Sequence, residues 1–234
     1  MLEIKNVDAS YDFLQVLWDV SLAVHDGEFV ALIGPNGAGK TTTLRTTAGL
    51  MRPKKGQVIF RGKPISGLKP YEISRMSLAY VSESLNLFTN MTVAENLMLG
   101  AYSVHEKAQR DQNLDFVYEL FPRLRERAGQ LAGTMSGGER KMLAIARAIM
   151  SSPHAMLIDE PSLGLAPHLA HEVFQGLATL NKRGVTILLV EQNVHMTLEI
   201  TSRAYVMEHG RVVMEGPSQE LAQNEHVRKA YLGL

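Results

Sequence analysis

Residues 34–41, Gly34-Pro35-Asn36-Gly37-Ala38-Gly39-Lys40-Thr41, follow the spacing G-x-x-x-x-G-K-[ST]. The glycines let successive main-chain N–H groups turn inward on a phosphate chain. Lys40 reaches the β- and γ-phosphates of such a chain, and the Thr41 hydroxyl ligates Mg²⁺. Thr42 follows directly and completes the candidate nucleotide contacts of this stretch. A second chemical stretch, Ala155-Met156-Leu157-Ile158-Asp159-Glu160, delivers two adjacent carboxylates from an apolar run. Asp159 is placed to hold Mg²⁺, directly or through water, and Glu160 to polarise the water that attacks a γ-phosphate. In a third, Met135-Ser136-Gly137-Gly138-Glu139, a hydroxyl and free N–H groups open a helix. That makes a second anion cradle. Two phosphate cradles on one chain suggest a nucleotide sandwiched between two chains, head to tail.

The elements that must position these residues are readable from periodicity. Glu28 to Ile33 is a buried strand running into the glycine loop, and Thr42 to Leu50 a helix running out of it, ending near Gly49. Residues 2–7 alternate as a half-buried strand, Tyr11 falls in a polar turn, and Val16 to Val24 reads as a second strand. Gln57 to Phe60 and Leu78 to Val81 are further strands, with a loop over 62–70 and a short helix over 71–76. From Ser82 to about Thr134 the strand runs disappear. Helical spacing over Val93–Leu99 and Glu106–Arg127 predicts an inserted, mainly helical subdomain, with Met98, Leu114, Phe116 and Leu120 in its core. Helices over 139–150 and 167–181 and from about Val194 then alternate with strands at 155–158 and 185–190. A terminal hairpin turns at His209-Gly210. The fold class expected is α/β: a phosphate-loop core (1–81 and 136–234) with a mostly parallel sheet, an N-terminal antiparallel β-subdomain and the helical insertion (82–135).

The composition excludes several functions. Lys plus Arg and Asp plus Glu number 24 each in 234 residues, so the basic surplus of a dedicated nucleic-acid binder is absent. No cysteine is present, hence no disulfide, thiolate metal site or thiol nucleophile. With no signal peptide and no apolar run near the ~20 residues of a membrane span, a soluble chain is expected, its membrane role coming through a partner. His168 and His171 lie three apart but lack a third ligand, and Glu106, Lys107, Arg110 and Asp111 read as a solvated face.

Taken together, the three motifs resemble the nucleotide-binding subunit of an ABC transporter. Within that superfamily the ATPase subunits of branched-chain amino-acid importers are the nearest match. Residues 37–46, 131–139, 159–167, Leu189-Val190-Glu191-Gln192-Asn193 and the tail 227–233 carry the likeness. The resemblance implies that Tyr11 stacks on the adenine of ATP, that Glu83 senses Mg²⁺ and the γ-phosphate, and that Gln192 contacts the γ-phosphate. It also implies that Ser162-Leu163-Gly164-Leu165 crosses a dimer interface. The implied partners are a second ABC ATPase subunit, in a heteromeric pair rather than a homodimer, integral membrane permease subunits and, indirectly, a solute-binding protein. The implied location is the cytoplasmic face of the cell membrane. One departure stands out: relatives read Pro-Glu-Gly-Arg-Arg where this chain has Ser82-Glu83-Ser84-Leu85-Asn86, at the surface expected to meet the permease. Competing readings are a urea, amide or other solute transporter, a non-transport ABC ATPase, and a plain phosphate-loop kinase or GTPase switch.

Overall fold

Alternation with period two settles which side chains enter which core. The computed structural model describes residues 1–232. In it β1 (Leu2–Tyr11) and β2 (Leu14–Val24) form a hairpin, and β4 (Lys55–Phe60) and β5 (Lys63–Pro64) extend it into an antiparallel sheet of order β2-β1-β4-β5. The second sheet contains β3 (Phe29–Ile33), β6 (Leu78–Val81), β7 (Ala155–Asp159), β8 (Thr186–Glu191), β9 (Arg203–Glu208) and β10 (Arg211–Pro217). Its order is β10-β9-β3-β8-β7-β6, parallel throughout except for the terminal β9–β10 hairpin.

Both faces of this sheet are covered. Leu157, Leu188, Val30 and Leu32 pack with the antiparallel sheet and with Leu44 of α1 (Lys40–Thr47), while Ile158, Met156, Ile187 and Leu189 pack toward the helical side. That side comprises α3 (Val93–Gly100), α4 (Lys107–Leu120), α5 (Pro122–Glu126), α6 (Gly137–Ile149) and α7 (Pro167–Lys182). Truncating a fully buried member such as Leu157 to Ala costs about 2–5 kcal/mol, because the packed interior cannot close the gap. Short α2 (Pro70–Arg75), α8 (Val194–Ile200), α9 (Ser218–Gln223) and α10 (Glu225–Val227) complete the fold.

Four local expectations are corrected. Tyr11 is the last residue of β1, paired with Leu14, because the hairpin closes over Asp12 and Phe13 alone. The single helix expected over 106–127 is two, broken at Phe121, since Pro122 brings no N–H and restricts the residue before it. Met98 is not core: it is 47% exposed, off the stripe formed by Val93 and Leu97, whereas Phe116 is buried and Leu114 and Leu120 pack against the cluster. The loop expected over 62–70 contains β5. His168 and His171 are exposed, and the His171 ring meets the amide of Gln175. Of the tail 227–233, Gly233 lies outside the described residues.

Candidate active site

β3 ends at Ile33 and α1 begins at Lys40, so residues 34–39 form the intervening loop. Gly34 has φ +152°, and a Cβ there would lie 2.1 Å from the Met207 carbonyl oxygen, so only glycine fits. Main-chain N–H groups of Gly37, Gly39, Lys40 and Thr41 donate to no main-chain carbonyl among the described residues, whereas Ala38 donates to Pro35. Those free donors at the start of α1 are the anion cradle that the glycine spacing predicts. Pro35, Asn36 and Gly37 are exposed, while Ala38, Gly39 and Lys40 are buried.

The strand ends bring the distant residues together. Thr41 Oγ1 donates to Asp159 Oδ1 at 3.0 Å, and the Tyr80 hydroxyl donates to Asp159 Oδ2 at 3.2 Å. Lys40 Nζ donates to the carbonyls of Gly34 at 2.9 Å and Pro35 at 3.2 Å, and stands 3.7 Å from Glu160 Oε1. Burial pushes the carboxyl groups of Asp159 and Glu160 up from the ordinary range; the Thr41 and Tyr80 hydrogen bonds oppose this at Asp159, and the Lys40 ammonium opposes it at Glu160. Glu160 holds φ +46°, which turns the chain just after β7. The Tyr11 hydroxyl lies 3.5 Å from Thr42 Oγ1, and Arg45 stands over the Tyr11 ring. An aromatic face is therefore placed beside the start of α1.

Thr41, Asp159 and Glu83 line one groove of about 850 Å³ between the sheet edge and the helical side, together with Tyr80, Phe88 and Leu99. The segment Ser82–Asn86 forms its wall, with Leu85 and Asn86 both at positive φ. Arg147, near the end of α6, holds this segment by donating to the carbonyls of Leu85 at 3.0 Å and Asn86 at 2.8 Å. Gln192 is exposed just beyond β8, with its N–H on Glu191.

Ser136, Gly137 and Gly138 are not joined to this cluster by any hydrogen bond among the described residues. Ser136 caps α6: its Oγ accepts from Glu139 N, and its own N–H donates to Glu139 Oε2 at 3.0 Å. Glu139 also accepts from Arg127 Nε at 2.8 Å, so its carboxylate is engaged in the cap rather than turned outward. Burial alone would raise that carboxyl, but the Ser136 hydrogen bonds and the Arg127 and Arg123 guanidinium groups outweigh it and hold it low. Ser136 and Gly137 are exposed. The second cradle is thus open to the surface.

Sequence reasoning did not single out Tyr80, Lys141 or Glu191. Each had a visible signal: a hydroxyl near the end of an apolar strand, a lysine in helical register with Ile145, and a carboxylate closing the run Thr186–Val190.

Residues 17–163 match the family model described as ABC transporter. The chain is 47% identical to the high-affinity branched-chain amino acid transport ATP-binding protein BraG of Pseudomonas aeruginosa, covering 100% of both chains. It is 38% identical to the "Probable branched-chain amino acid transport ATP-binding protein LivF" of Archaeoglobus fulgidus, covering 100% of this chain and 99% of that one. Its fold superimposes on a solved ATP-binding subunit of an ABC transporter with TM-score 0.86 at 30% identity, over 100% of this chain and 96% of the other.

Proposed function

The chain belongs to the ABC transporter family, and from that premise we propose that it is the ATP-hydrolysing subunit of an importer for branched-chain or other hydrophobic amino acids. The observation that carries the chemistry is the convergence of Thr41, Lys40, Asp159 and Glu160 at the ends of β3 and β7. The solute class is supported by the likeness to BraG.

Each side chain then has a task. Tyr11 stacks on adenine, and Gly34 to Thr42 wrap the phosphates with main-chain donors and the Lys40 ammonium. The hard oxygen donors of Thr41 and Asp159 suit Mg²⁺, which is held by few protein groups and keeps its other positions for phosphate and water. When bound, Mg²⁺ would neutralise charge on the phosphate oxygens, and Glu83, which lines the same groove as Thr41 and Asp159, would sense it. Glu160 accepts the proton of the attacking water, and the neutral amide of Gln192 donates to the γ-phosphate.

Ser136, Gly137, Gly138 and the N-terminal turn at Glu139 act on the nucleotide of a second ATPase subunit, in a heteromeric pair. The groove beside Glu83 receives the permease, and residues 82–135 carry the movement of closure to it while 1–81 and 136–234 hold the nucleotide. A solute-binding protein delivers the solute on the far side. No helix among the described residues is long and apolar enough to cross a membrane, which fits peripheral attachment at the cytoplasmic face through those permease subunits.

The test is Glu160→Gln in MgATP. Turnover is expected to fall by about 10²-fold or more, with nucleotide retained and ATP-bound dimers trapped on a sizing column. Full turnover in this variant would remove Glu160 from the role of base.

A further inference from the structure

β8 is buried along its whole length and ends in Glu191, whose surface is 1% exposed. A carboxylate so far from water must be satisfied by donors, since bare burial is strongly unfavourable. Its donors are three main-chain N–H groups from two different loops. Oε1 accepts from Ser162 at 2.7 Å; Oε2 accepts from Gln192 at 2.9 Å and Asn193 at 3.2 Å. Ser162 opens the turn that follows β7, and Asn193 caps α8. Lys141 of α6 is buried close by. Its Nζ donates to the Glu160 carbonyl at 2.8 Å; burial pushes its ammonium pKa down, and the carboxylates of Glu191, Glu83 and Glu160 only partly oppose this. One side chain therefore fastens the turn after β7 to the turn after β8.

We propose that Glu191 is a positioning residue: it ties the Ser162–Leu165 turn to Gln192, so that movement of that turn by a partner subunit relocates the Gln192 amide. The inference rests on the reading above that the turn meets a partner and that Gln192 meets the γ-phosphate. A carboxylate serving only stability would need no particular pair of loops. Here each oxygen takes a different loop, and both loops border the candidate site.

The test is Glu191→Gln in the purified full chain, which leaves one oxygen and turns an NH₂ group against N–H donors. Hydrogen exchange of the Ser162, Gln192 and Asn193 amides is expected to speed up together, on the order of 10-fold. In the same protein, kcat is expected to fall roughly 10- to 100-fold while ATP affinity stays within about 2-fold. Glu191→Asp, one methylene shorter, makes the same measurements if Glu191→Gln does not fold. Faster exchange in one loop only would overturn the tie, and faster exchange in both with unchanged kcat would overturn its positioning role. Glu160→Gln judges the catalytic reading separately, and the exchange data judge the tie whichever way that result falls.

Discussion

Thr41 Oγ1 and Asp159 Oδ1 lie 3.0 Å apart although 118 residues separate them along the chain. The contact forms because β3 and β7 both flank β8 and run parallel to it, so the residues leaving their C-terminal ends emerge on one edge. Open α/β sheets gather ligands at that edge.

Asp159→Asn is expected to lower the Mn²⁺ affinity of the ATP-loaded protein by about 10²-fold or more, because the amide has lost the charge that attracts the ion. Tyr80→Phe removes only the hydroxyl that orients Asp159, and the expected loss is milder, about 10-fold. Titration of Mn²⁺ followed by electron paramagnetic resonance distinguishes the two. Equal losses in both variants would argue that Asp159 acts through the tyrosine rather than on the metal.

Ser136 has a cap role in its own chain and a proposed nucleotide role in another, and two substitutions separate them. Ser136→Ala is expected to cost about 1 kcal/mol of unfolding free energy through the lost cap. Ser136→Arg is expected to stop turnover by blocking approach of the partner's nucleotide, while ATP binding to the subunit's own loop persists. Intact ATP hydrolysis in Ser136→Arg would favour a phosphate-loop enzyme that works as a single chain.

Glu139 gives a pH-dependent stability. Its carboxyl in the folded chain lies below its ordinary value of 4.5, so the folded state takes up the proton less readily than the unfolded one. Its stabilisation is present in full above 4.5 and is lost as pH falls through the folded value. Urea unfolding of the parent and Glu139→Gln is expected to show a constant gap near neutrality that closes as the pH falls below 4.5. A gap independent of pH would show that the anion itself contributes nothing.

The glycine loop, the apolar strands and the cap at Ser136 were legible because each is local: spacing, a short apolar run, a hydroxyl ahead of a helix. The break at Phe121 was also local, and Pro122 announced it, but the charged periodicity on either side reads continuously across it. Tyr11 was misplaced because a hairpin that turns in two residues leaves no polar stretch to mark its end. Met98 looked like core by type alone, while its angular position on α3 puts it outward. Glu191, Lys141 and Tyr80 were missed for another reason. Their places on strand or helix are readable from neighbouring residues, but their meaning lies in which loops and strands meet around them, and that is set by the tertiary fold.

The grip of Arg147 on Leu85 and Asn86 has a mechanical consequence. α6 has 13 residues and is therefore about 20 Å long. Ser136 caps one end, and Arg147 stands one turn from the other with two main-chain carbonyls in its fork. A stiff strut thus spans from the surface-open anion cradle to the wall of the groove. Leu143 and Ile145, both fully buried, seat the middle of this strut in the core between its two ends. The cap at Ser136 and the carbonyls of Leu85 and Asn86 are thereby fixed to one rigid body.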